Sequence, residues 1–93
     1  MAWYRPEQWT RLLEISDDRE ELEPSHDEWL QSASKTMHQL RGQGLRVEKV
    51  QVDVEDLLGW CNGQGRPVDG ASRAAFVAEL LRQRDAAPPG QPP

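Results

Sequence analysis

The chain of 93 residues is poorest in the groups that carry chemistry: it has one cysteine and two histidines. A single thiol excludes an intramolecular disulfide, so no stapled secreted framework is expected and a reducing, cytoplasmic setting follows. Cys61, His26 and His38 are the only soft ligands and are separated along the chain, too few for a zinc site. His26 and His38 also sit on one predicted helix, about 18 Å apart along its axis at the usual rise, too far to share an ion. No apolar run approaches the roughly 20 residues of a membrane span, and the start, MAWYRPEQW, lacks the basic-then-apolar order of an export signal. There is no internal repeat.

Positive charge is also scarce. Eleven Lys and Arg face sixteen Asp and Glu, a net charge of −5, which argues against the basic stripe of a general nucleic-acid binder. The acid is concentrated in Asp17, Asp18, Glu20, Glu21, Glu23, Asp27 and Glu28, opposed there only by Arg19. Such a run can dock a basic protein surface or a cation. Its ordinary role is a solvated connection with carboxylates near helix N-termini, where the macrodipole favours them.

What is present is helical patterning. Trp29, Ala33, Met37 and Leu40 repeat at helical spacing from a Ser25–Glu28 capping box, which predicts a helix over 25–41 on which the remaining elements pack. Pro6 opens a first helix over 6–15 with Trp9, Leu12, Leu13 and Ser16 on one side. In the acidic connection that follows, Leu22 is the only large apolar residue and the natural anchor. Asp53 caps a third helix over 54–62 carrying Val54, Leu57, Leu58 and Cys61, with Gly63 as its stop. After a loop rich in Gly and Pro comes a fourth helix over 71–84, with Asp69 or Ser72 as its cap. Its apolar face holds Ala74, Phe76, Val77, Leu80 and Leu81, while Arg73, Glu79, Arg82 and Arg84 remain in water.

Between Leu45 and Val52 the period changes to two, predicting one short strand over 46–52 with a slip near Lys49. A lone strand leaves its own amides and carbonyls unpaired. Its partner is either residues 2–5 or the same strand of a second copy, which would make a homodimer. The fold class is therefore α+β, predominantly α: one globular domain over 1–85 and a Pro-rich tail over 86–93 with too little apolar surface to order.

No stretch poises an acid, a base and a nucleophile, so no enzyme and no cofactor are expected. Cys61 falls on an apolar stripe, where a small buried cysteine is the ordinary outcome. Gly65 to Ser72 has the outline of a phosphate loop, but Ala71 replaces its lysine and a helix precedes it in place of a strand. The expected function is a non-catalytic protein–protein interaction or accessory module, its contact surface drawn from Trp3, Val50, Val52 and Trp60. The alternative is a small regulatory protein that touches nucleic acid through a basic face of Arg41, Arg46 and Lys49.

Overall fold

The computed structural model describes residues 1–85. The expectation of a disordered tail over 86–93 lies outside the described residues. Two strands, β1 (Ala2–Trp3) and β2 (Val50–Gln51), and four helices, α1 (Trp9–Ile15), α2 (His26–Gly42), α3 (Val54–Gly63) and α4 (Gly70–Asp85), make an α+β fold that is mostly helix. Single 3-10 turns at Pro6–Gln8 and Arg19–Glu21 precede α1 and interrupt the acidic connection.

The helix boundaries follow side-chain chemistry. Ser25 accepts the Glu28 amide at 3.2 Å, Asp53 accepts that of Asp56 at 3.0 Å, and Asp69 accepts that of Ser72 at 2.9 Å, so each of α2, α3 and α4 starts on a side-chain cap. The capping box is half closed, since the Glu28 carboxylate receives the Ser25 hydroxyl and not its amide. Helices α2 and α3 end in the same way. Gly44 and Gly65 adopt φ of 83° and 63°, and the amides one residue later reach back to Leu40 and Cys61 at 3.1 and 2.9 Å, closing two Schellman turns. Gly63, expected to stop α3, is instead its last helical residue, because the cap needs positive φ two positions on.

The valine-rich strand finds its partner inside the chain. Val50 and Val52 donate to the Met1 and Trp3 carbonyls at 2.8 and 3.0 Å, and the pairing is parallel, with Ala2 opposite Val50. A parallel pair requires a long crossover, here α1, the acidic connection and α2. The strand is shorter than the expected 46–52. Its first half leaves the ladder at the slip in alternation: Arg41 donates to the Val47 carbonyl at 3.1 Å, the Met1 nitrogen donates to that of Glu48 at 3.0 Å, and the Lys49 ammonium rests 4.3 Å above the Trp3 ring.

Two residues per strand cannot support themselves in water, so the ribbon depends on cover from helices. Helix α4 packs on both strands, α3 on α4, and α1 on α3. Leu12, Leu57 and Cys61, all fully buried, with Val52, Val54, Val68 and Phe76 nearly so, form the core between them. The expectation that everything packs on α2 is corrected here. Ala33 and Met37 are buried but lie outside this core, and α2 reaches it through the half-buried Trp29. That indole stacks on Trp9 at 5.2 Å and meets Trp3 and Tyr4 edge-on at 5.1 and 5.5 Å, with His26 at 5.2 Å. His26 Nε2 also lies 2.8 Å from the Tyr4 carbonyl oxygen.

Trp29→Ala should therefore cost about 3 kcal/mol and loosen α2 selectively. Urea unfolding followed by circular dichroism measures it, with Leu45→Ser at an exposed site as a control expected within about 0.5 kcal/mol of the parent. A loss below about 1 kcal/mol for Trp29→Ala would show that α2 is held by other contacts.

Candidate functional site

Apolar side chains that cannot all reach the core gather around a cleft of about 420 Å³ between β1, α4 and the acidic connection. That volume is in the range of small-ligand and anchor-residue pockets. Trp9 and Trp29 make its aromatic wall, Ala74 and Val77 its α4 wall, and Leu22 its lip. The lip is tied down by its neighbour in sequence: the Trp9 indole donates to the Glu23 carbonyl at 3.0 Å. Ala74, expected on the buried face of α4, is exposed, and its small side chain leaves the cleft open.

Two polar groups enter this apolar surface, Tyr4 and Arg73. Arg73 is not in water as its position in the helical pattern implied. Its guanidinium grips the Asp18 carboxylate through two bonds of 2.9 and 2.6 Å and donates to the Ser16 hydroxyl at 3.3 Å, with both charged side chains mostly buried. These bonds from Arg73 hold the Asp18 carboxyl below its ordinary value. The charge of Arg73 is thereby balanced. Tyr4 is 5% exposed, and burial pushes its phenol up to about 12, so near neutral pH it is a neutral hydrogen-bond donor. Among the described residues its hydroxyl has no hydrogen-bond partner, although no buried polar side-chain atom is sealed off unsatisfied. The cleft thus offers shape, apolar area and a spare donor, which are the means of binding.

The residues singled out by sequence are dispersed. Trp3 is half-buried with Trp29 and Lys49 beside it, and Trp60 packs on Phe76 at 5.4 Å with the Arg66 guanidinium over its ring. Val50 is half-buried in the ribbon. Val52 is 1% exposed and offers no surface to a partner, because its side chain belongs to the core. Of the basic residues, Arg41 and Lys49 line one shallow hollow with Trp3 and His38, whereas Arg46 lines another beside Glu48 and Asp85. Glu48 is engaged there by Arg84 at 2.7 Å. Cys61 is fully buried and burial pushes its thiol up, so it is poorly suited to attack a substrate. Among the described residues no three of His, Cys, Asp and Glu are grouped to hold a metal ion, and no helix is long and apolar enough to cross a membrane.

Tyr4, Arg73 and Asp18 escaped the sequence reading because nothing local links them: Asp18 and Arg73 are 55 residues apart. Leu22, a solitary apolar residue among carboxylates, was the one available signal.

The Asp18–Arg73 pair yields a pH prediction. A carboxyl depressed in the folded state contributes stability above its unfolded value, about 3.9, and that contribution is lost as pH falls through the lower folded value. Asp18→Ala should cost about 3 kcal/mol at pH 7 by stranding a mostly buried guanidinium, and should shrink the stability lost below about pH 4. Replacing both residues by apolar ones should recover part of the loss. Denaturant midpoints of the variants across pH check this, and an unchanged acid limb in Asp18→Ala would rule the pair out as its source.

Compared with known proteins, the chain matches no family model, no curated protein and no solved structure.

Proposed function

We propose that this chain is a non-catalytic protein-interaction module whose contact site is the cleft between β1, α4 and the acidic connection. One observation carries the reading: two tryptophans, Leu22 and Val77 border an open cleft of about 420 Å³ that the side chains of the described residues leave unfilled. Interfaces draw most of their affinity from a few large side chains seated in well-packed pockets, and aromatic residues are enriched there. The neutral phenol of Tyr4 adds a directional contact for a carbonyl or other acceptor.

Self-association through the ribbon loses its original motive, since Val50 and Val52 are already paired with Met1 and Trp3. Nucleic acid has Arg41 and Lys49 beside Trp3 in its favour. Against it stand the net charge of −5 and the separation of Arg46 from the other two. The cleft is the better supported site.

Photo-crosslinking in the native host tests this directly. A benzoylphenylalanine placed at Ala74, exposed on the cleft wall, should form an adduct with a protein, while the same group at Ser32, exposed on α2 and outside the cleft, should not. Adducts with nucleic acid, or equal labelling from both positions, would overturn the proposal.

A further inference from the structure

The rim of the cleft identifies the kind of partner. Leu22 lines the cleft and is flanked in sequence by Glu20, Glu21 and Glu23, and Asp17 begins the same connection; all four acidic residues are exposed. Among the described residues none of the four takes part in an ion pair, and Arg19 is the only cation within the run. Asp18, by contrast, is spent on Arg73, so the one cationic side chain in the cleft wall is neutralised from within. The result is an apolar hollow with an electrically balanced wall, a free phenol donor and a negative lip.

We infer that the occupant of this cleft is an apolar side chain carried by a basic segment of a partner protein. The inference rests on the reading of the cleft as a docking site. Apolar burial provides the anchor, and the cations that flank it meet Glu20, Glu21 and Glu23. An acidic segment would instead bring like charges to the rim, and the net charge of −5 likewise opposes a second copy of this chain. Exposed charge pairs are individually weak, but together three of them change affinity by about tenfold, and salt removes that share.

Calorimetric titration of the full chain with synthetic peptides of equal length tests the assignment. The probes alternate Leu with Lys, Leu with Glu, and Ser with Lys. The Leu/Lys probe should bind, weaken about tenfold against the Glu20→Gln, Glu21→Gln, Glu23→Gln variant and comparably in high salt, and fail to bind Ala74→Trp, whose indole plugs the hollow. The altered residues are all exposed, and circular dichroism checks that each variant is folded. If Leu/Lys and Leu/Glu bind alike and both are lost in Ala74→Trp, the docking site stands and the basic partner is wrong. If Ser/Lys binds as tightly as Leu/Lys and ignores Ala74→Trp, the rim acts without the cleft and the inference fails. Absence of binding by every probe also overturns it, leaving the docking reading to be judged by the crosslink at Ala74. Sedimentation that shows a dimer abolished by Ala74→Trp would assign the cleft to a second copy instead.

Discussion

A strand's amides cannot be left without acceptors, and in this molecule the acceptors for Val50 and Val52 are the carbonyls of Met1 and Trp3. That pairing fixes the position of residues 1–4, and much of the architecture follows from it. Helix α4 covers the ribbon so formed, and the Tyr4 side chain turns into the core. Trp3 and Tyr4 then present ring edges to Trp29, which brings α2 against the body. A short segment thus joins α2 to β2 and α4, with which α2 has little direct contact. Because the ladder is only two residues long, each of its hydrogen bonds matters more than it would in a larger sheet, and side chains around the ribbon share the task. Lys49 over Trp3 and Arg84 on Glu48 both flank the point where the regular pairing begins.

The second organising contact is electrostatic. The acidic connection has one large apolar residue, so burial alone holds it weakly. Arg73 fastens it to α4 by the bidentate bond to Asp18, while the Asp17 amide reaches the Val68 carbonyl at 2.8 Å. Fixing the connection there lifts Leu22 to the side of Trp9 and Trp29 and leaves a gap that Ala74 is too small to fill. The cleft is therefore a consequence of two choices of residue, an arginine that holds the connection at a distance and an alanine that does not occupy the space.

Local chemistry was legible in the sequence and long-range geometry was not. Capping by Ser25 and Asp53 was readable because the cap and the amide it accepts are three residues apart, and the spans of α2, α3 and α4 came out within a residue, whereas the first helix, expected over 6–15, begins as a 3-10 turn over Pro6–Gln8 and becomes α-helical only at Trp9. The stripe of Trp29, Ala33 and Met37 correctly showed that α2 must bury one side. It could not show where, and the centre of packing turned out to be α1, α3 and α4. Strand demand was also readable, since alternation over Val50 and Val52 implies pairing whichever partner answers it. The shortening at Lys49 was signalled by the slip in alternation. Arg73 was misplaced for a physical reason: helical periodicity assigns a charged residue to solvent unless a counter-charge is known, and Asp18 lies in a segment with no pattern of its own. The candidate site inherits this limit. Its walls come from β1 and its flanks, α1, α2, the connection and α4, with no more than three residues from any one of them, so no stretch of sequence carries it.

The charge on the rim bears on why an open apolar cleft and an acidic connection occur side by side. Asp17, Glu20, Glu21 and Glu23 repel one another in the free chain, which opposes compaction of the segment that Asp18 and Leu22 hold in place. A domain of this size has only a modest margin of stability, so self-repulsion beside an unfilled hollow is a real burden on the folded state. Both strains are relieved by the same event. Filling the hollow removes apolar surface from water, and cations brought beside the filler screen the carboxylates from one another. A ligand that supplied only one of these would leave the other strain in place, whereas one that supplied both would couple them, because the residue that lines the lip, Leu22, is flanked by the charges to be neutralised. The coupling is a property of the spacing in Glu20-Glu21-Leu22-Glu23, and it favours occupants in which an apolar side chain and positive charge stand on adjacent residues.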